Sequence, residues 1–464
     1  MASGGHALPS KTDFCVVGGG IIGVAIAREL AHRHPGASIT LLEKESSVAQ
    51  HASGRNSGVL HAGFYYSPES FKAKLTRAGN VFLHEYIEEK GLKINKCGKI
   101  VVARNEEEAA GIDELKRRGD ANGVPLEKIT AAEAEELEVA LWSPTTSAAD
   151  PEEVTRSLAR DAEEAGVTFI HDTRYVGGGA EGRVGNGCVV RTNHGTLEAG
   201  HLVNCAGLYA DRVAHDFGFG KDLVMLPFKG LYMYCNSVPL TRLIYPVPDL
   251  RNPFLGVHFT VTVDGKVKVS ALESLAAKTL SSFPALEPRP MACSALPADR
   301  AASCRLRRRA ALPLSHALPL RVHVWSSVSQ IGPTAIPALW REQYGLLDNM
   351  DIGDMYTTLM TEAQLFVKAG FNFRELAFEE ARKYYKPFMT KGASELVKGV
   401  TDASFGNYGR PGIRAQLLDK RTRTLVMDFH IEGDESSTHV LNAVSPAWTC
   451  SVPFAQHVCD TMKV

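Results

Sequence analysis

Apolar runs broken by glycine dominate the start of the chain. Asp13–Val17 (DFCVV) is short and almost wholly apolar, as a strand buried on both faces must be. It runs straight into Gly18, Gly19, Gly20, Ile21, Ile22 and Gly23. Val24–His32 then reads as a helix, and Ser38–Leu42 as a second buried strand closing on Glu43. Ser67, Pro68 and Glu69 signal a helix start, with its end by Gly91. Lys99–Ala103 is a short strand, and Thr130 with Glu133 makes a capping-box pattern. Asp150, Pro151 and Glu153 open a helix running to Gly166. Val167–Ile170, Cys188–Thr192 and His201–Asn204 read as strands. From Leu226 to Val269 polar and apolar residues alternate (LYMY, LGVHFTVT, KVKV), which predicts a mostly antiparallel sheet with a hairpin turn at Asp264–Gly265. Helices follow over 351–370 and 374–387. A glycine-rich loop spans Gly406–Arg414, and strand pieces at Leu425–Ile431 and His439–Val444 precede a closing helix.

Strand, glycine turn, helix, strand and terminal acid come in the order a dinucleotide-binding unit requires. Gly18 permits the tight turn, Gly20 lets a pyrophosphate approach the backbone, and Gly23 lets the helix pack closely on the strand. The helix N-terminus offers N–H groups and a positive dipole end. Glu43 is placed to accept hydrogen bonds from a ribose. The expected class is α/β: a Rossmann-like domain interleaved with an α+β substrate domain on a mostly antiparallel sheet.

Composition narrows the reading only a little. The 464 residues exceed one ordinary core, so two joined domains are expected. The net charge of -1 gives no general attraction to nucleic acid. No apolar run is long enough to span a bilayer, which leaves a peripheral membrane contact open. Nine scattered Cys without a C-x-x-C pair argue against a disulfide scaffold and against a metal site. Met1–Thr12 reads as a disordered lead-in with no legible targeting pattern.

Residues 13–66, with the segment HASGRNSGVLHAGFYY (51–66), resemble the D-amino-acid-oxidase-like FAD-dependent oxidoreductases. The words RNSGVLHAGFYY (55–66), PFKGLYMY (227–234), LGVHFT (255–260), GPTAIPALWREQY (332–344) and VSPAWTCS (444–451) are similar, more narrowly, to the L-2-hydroxyglutarate dehydrogenases. The resemblance implies FAD as cofactor, with hydride transfer from C2 of L-2-hydroxyglutarate to flavin N5, giving 2-oxoglutarate. It implies a small dicarboxylate substrate, an unidentified electron acceptor such as a quinone or an electron-transfer protein, and a mitochondrial location. FAD-domain parts are then expected at 13–90, 150–225 and 396–464. Substrate-domain parts are expected at 226–269 and 331–395, with 91–149 mixed.

The expected cofactor contacts are Gly18, Gly20, Ile21, Ile22, Gly23, Glu43, Lys44, Arg55, Asn56, Ser57, Gly58, Ala206, Gly207, Gly409, Gly412 and Ile413. His61 is the first candidate for the base, since histidine titrates near neutral pH. His258 is the second. Arg414 is the preferred carboxylate or flavin contact, because a guanidinium pairs bidentately with a carboxylate. Lys229 and Tyr245 are further pocket donors.

One block breaks the pattern. Residues 270–330 contain no Gly, although the chain has 41, and carry the cluster Arg305, Arg307, Arg308 and Arg309. An insertion of about sixty residues is inferred, either translated intron or gene-model error, with a lineage-specific disordered loop as the alternative. Two rival functional readings follow: an amine or amino-acid oxidase of the same fold, and an inactive flavin-binding product created by the insertion.

Overall fold

The computed structural model of the chain describes residues 7–130, 139–179, 187–235, 240–248, 256–263, 329–332, 334–368 and 373–464. Lys11–Val17 takes the middle of an eight-stranded sheet, parallel to Ile39–Leu42 on one side and to Gly195–Asn204 on the other. Thr168–Ile170 and Ser437–Asn442 extend the parallel array outward. The strand starts inside the stretch expected to be a disordered lead-in. Lys11 and Thr12 pair with Glu198 and Ala199, and the Thr12 hydroxyl donates to Ser38 O at 2.9 Å.

Side-chain alternation divides this strand between two cores. Phe14 and Val16 join one with Val24, Leu83, Val154 and Phe454, which come from the four helices Ile21–Arg33, Phe71–Glu89, Pro151–Glu164 and Ala447–Thr461. Cys15 and Val17 join the other with Leu202, Val213 and Phe217. Asp150 caps its helix as expected, accepting from the Glu152 and Glu153 N–H groups at 2.9 and 3.2 Å. The helix Phe71–Glu89 starts later than expected. Ser70, not Ser67, accepts the Ala73 N–H (3.2 Å), and its hydroxyl donates to Ser67 O. The expected capping box of Thr130 lies partly outside the described residues, and Thr130 itself ends the strand Glu127–Thr130.

A second eight-stranded sheet runs in the order Phe405–Tyr408, Met233–Cys235, Ser329–Ile331, Phe259–Val261, Leu243–Pro246, Lys99–Val102, Val139–Ser143, Glu127–Thr130. Its neighbours are antiparallel except Leu243–Pro246 beside Lys99–Val102, which is parallel. One face is apolar: Val102, Met233, Cys235, Phe259, Val261 and Ile331 pack with Met389 and Ala393 of the helix Lys386–Ser394. Strand register puts Lys99, Tyr245, His258 and Thr260 on the opposite face. A smaller sheet, in which Leu223–Gly230 pairs along its length with Gly412–Asp419, carries Arg414.

Most of the anomalous block, and the expected Asp264–Gly265 turn, lie outside the described residues. Its last two positions do not. Ser329 and Gln330 are strand residues paired with Val261 and Thr260 on one side and with Cys235 and Tyr234 on the other. The chain therefore leaves this sheet and re-enters it at adjacent positions.

Candidate active site

Gly18 adopts φ +112°, and a Cβ there would stand 2.4 Å from Cys205 O, so only glycine makes the turn. At Gly23 a Cβ would meet Gly18 O at 2.0 Å, because the helix sits directly on the loop. Gly20 differs: within 4 Å its would-be Cβ meets only Ser53 Oγ, at 3.1 Å. Beyond it lies a cavity of about 790 Å³. The helix Ile21–Arg33 begins here, with no acidic side chain in its first turn. Ser53 Oγ accepts the Ile21 N–H at 2.9 Å, and the open backbone approach at Gly20 beside the positive end of the helix suits a pyrophosphate, so the residues present fit a dinucleotide cofactor. Glu43 is buried. Its carboxylate accepts the Gly19 N–H (2.6 Å) and the Glu45 N–H (2.9 Å), so it fixes the loop while bordering the cavity.

The structure brings Gly18, Gly20, Ile21, Ile22, Glu43, Lys44, Arg55, Asn56, Ser57, His61, Ala206, Gly207, Gly412, Ile413 and Arg414 to the wall of this one cavity. Several of these side chains are already engaged. Lys44 pairs with Glu45 (2.7 Å) and Glu342 (2.6 Å). Arg55 donates to Gln50 O (2.7 Å) and lies 3.9 Å over the Tyr344 ring. Asn56 donates to Ala52 and Ser53 carbonyls and accepts the Gly58 N–H, holding its own loop.

Six expected site residues stand away from the wall. Gly23 serves packing, and so does Gly58, where a Cβ would meet Ala149 O at 2.1 Å. Gly409 lies under the Tyr234 ring, and its N–H already donates to Tyr232 O at 2.8 Å, so that amide is not available to a flavin. Lys229 is buried away from the cavity, where burial lowers its pKa against the pull of Asp348. His258 and Tyr245 form a layer that does not line the cavity, with ring centroids 3.9 Å apart.

That layer contains a residue the sequence reading missed. Lys99, taken only as a strand start, is fully buried with its Nζ 4.0 Å from the Tyr245 ring centre and 5.1 Å from that of Tyr65. Among the described residues Nζ has no hydrogen-bond partner, and burial pushes its pKa down to about 7. The available signal was its parity: Lys99 shares a strand face with Val101, Leu243 and Tyr245, all buried. His61, at the cavity wall, leaves its buried Nδ1 without a partner while its backbone N–H donates to Thr449 Oγ1 (3.2 Å). Burial, then the neighbouring charges of Lys99 and His258, hold His61 well below the ordinary histidine range, and burial brings His258 to about 3. Both rings are therefore neutral at physiological pH.

A buried ion-pair network braces the cavity rim. Arg341 donates through Nη1 and Nη2 to Asp211 (2.5 and 2.8 Å), through Nε to Asp354 (2.9 Å), and to Leu208 O. Arg212, itself a wall residue, also reaches Asp354, at 2.7 Å.

The family model for FAD dependent oxidoreductases (DAO) matches residues 13–311. The chain belongs to this family. Within it the chain is similar to the L-2-hydroxyglutarate dehydrogenases. It is 31% identical to the mitochondrial one of Bos taurus, covering 99% of this chain and 90% of that protein. It is 37% identical to that of Salmonella houtenae, covering 97% and 93%. Among solved structures, the FAD-bound L-alpha-glycerophosphate oxidase of Mycoplasma pneumoniae superposes with a TM-score of 0.66 at 20% identity, over 97% of this chain and 94% of that one. Such a likeness shows a shared fold. FAD is thus the cofactor of this oxidoreductase family, and it is the dinucleotide that the glycine loop and the helix N-terminus fit. Among the described residues no helix is long and apolar enough to cross a membrane.

Proposed function

We propose that this protein oxidises L-2-hydroxyglutarate to 2-oxoglutarate with FAD. One observation carries the reading: a single cavity joins the dinucleotide loop to Arg414 and His61, in a chain whose relatives bear that enzyme's name. The residues expected to hold FAD are Gly18, Gly20, Ile21 and Ile22 at the loop, Glu43 beside it, and Arg55, Ser57, Ala206, Gly412 and Ile413 along the wall. Bound FAD supplies the two-electron acceptor for the hydrogen on C2.

Arg414 offers a guanidinium fork to the carboxylate next to the reacting carbon and so orients C2. Its charge is fixed, since burial lowers an arginine pKa only from a very high starting value. His61 presents a neutral ring with an unengaged nitrogen at the cavity wall, so it can take the hydroxyl proton as the carbonyl forms. The buried rings of Tyr65, Tyr245 and His258 exclude water behind it. A mitochondrial location, as in the names of the mammalian relatives, is part of the proposal.

The test is anaerobic. The purified holoprotein is mixed with L-2-hydroxyglutarate, its D-isomer, or sarcosine and glycine while the visible flavin bands are followed. Bleaching by the L-isomer alone is expected. Bleaching by an amine would point to the amine-oxidase reading, and an unreducible flavin to an inactive product.

A further inference from the structure

Among the described residues, the buried Lys99 Nζ, Tyr65 Oη and His61 Nδ1 each lack a hydrogen-bond partner. They come from two separate elements that meet where Lys99 Nζ lies 5.1 Å from the Tyr65 ring centre. Lys99 stands on the face of the second sheet that carries Val101, Leu243 and Tyr245, while His61 and Tyr65 belong to the segment that follows the strand Val59–Leu60. Tyr245 lies between Lys99 and His258. Burying an ammonium without a counter-charge is unfavourable, and a buried phenol without an acceptor adds to that cost. Burial, with Tyr245 and Tyr66 nearby, raises the Tyr65 pKa well above its ordinary value, so the phenol stays a donor. What the ammonium and the phenol lack is an acceptor from outside the chain. A carboxylate brings two oxygens and about four lone pairs, enough for both. Of the three, His61 alone lines the cavity; the Lys99 charge acts on His61, and Lys99 Nζ lies 5.1 Å from the Tyr65 ring centre, which sets this donor pair next to the His61 wall.

We infer that Lys99, with the Tyr65 hydroxyl, receives the second carboxylate of the substrate, the one remote from the reacting carbon, and so selects dicarboxylate over monocarboxylate 2-hydroxy acids. The inference rests on the function proposed above. It divides the work between two cations: Arg414 takes the carboxylate beside C2, and Lys99 takes the one at the far end. Below about pH 7 the Lys99 ammonium is present before substrate arrives, and a bound carboxylate stabilises it above that pH. The ionisable groups facing it are His61, His258, Tyr65, Tyr245 and Cys97, none of which offers it an anion at neutral pH. A purely structural Lys99 would instead be held by its aromatic neighbours alone.

The experiment compares holoenzyme of the wild type, Lys99→Met and Lys99→Arg on L-2-hydroxyglutarate and L-2-hydroxybutyrate. In parallel, binding of glutarate and of butyrate is read from the flavin spectrum. In Lys99→Met the preference for the dicarboxylate, as a ratio of kcat/KM values, should fall about 10- to 100-fold. Most of the loss should lie in KM, with a matching loss of glutarate over butyrate binding. Lys99→Arg should keep part of the preference. An equal loss on both substrates, or an unchanged ratio, overturns the inference. If Lys99→Met fails to hold flavin, Tyr65→Phe carries the same test, with an expected fall in the ratio of about 3- to 10-fold and no change as the contrary result. A wild-type flavin that L-2-hydroxyglutarate cannot reduce would sink the proposed function and this inference together. A reducible wild type with an unaltered ratio in the variants would sink only the role of Lys99.

Discussion

Arg341→Met removes the cation at the centre of the rim network and leaves an unbranched side chain that replaces arginine only as far as Nε. Arg341 is only 4% exposed, and Asp211 and Asp354 are 1% and 2% exposed. Removing one partner of a buried pair costs about 3–5 kcal/mol. The low end applies here, because Asp354 keeps Arg212 while Asp211 keeps the Met225 and Arg212 N–H groups. A loss of about 3 kcal/mol is a large share of the roughly 5–15 kcal/mol that stabilises a folded protein. Burial by itself would raise the Asp211 pKa, but the Arg341 hydrogen bonds and charge bring it below 3.8. A carboxyl depressed by folding contributes stability that is complete above its unfolded value and is lost as pH falls through the folded value. Without Arg341 the same carboxyl is raised and relieves its burial by taking a proton. The gap between wild type and variant should therefore be widest near pH 7 and narrow towards pH 5. Urea unfolding of both proteins at several pH values measures it. A gap under about 1 kcal/mol at pH 7, against the cost expected for a buried pair, or one constant with pH, would refute the reasoning.

Three further outcomes are expected. Gly23→Ala places a methyl 2.0 Å from Gly18 O, so the loop must shift and flavin content, read at the visible bands of purified protein, should drop sharply; full occupancy would contradict the close-packing argument. Arg414→Met should lower kcat/KM for L-2-hydroxyglutarate about 10- to 100-fold with flavin retained, and an unaltered kcat/KM would remove Arg414 from substrate binding. Replacing residues 264–328 by a short turn should preserve flavin binding and reducibility, because Val261 and Ser329 already lie opposite each other in register; a colourless product would show that the block is needed.

The dinucleotide half was legible because each of its devices is local. An apolar run, three glycines and a terminal acid sit within thirty residues and impose their geometry without distant help. Element starts were less legible. Ser67 and Ser70 are both good caps, and only the contact that positions the helix chooses between them. The substrate half depends on which strands meet. Lys99 looks ordinary in sequence, and its isolation appears only when its strand lies beside Leu243–Pro246 with Tyr245 over the ammonium. Gly409 failed for a related reason: its amide looked available in a glycine-rich loop, yet the adjoining strand uses it.

The parallel sheet joins the first strand of the chain, through Gly195–Asn204, to Ser437–Asn442, and the segment 440–449 completes the cavity wall. On the ribosome, the glycine loop emerges long before the segment 440–449 that completes its cavity. Domains generally fold as units during synthesis, and this one must wait. The complete cofactor cavity therefore has to await the segment 440–449, and a stop codon ahead of that segment removes the wall it supplies.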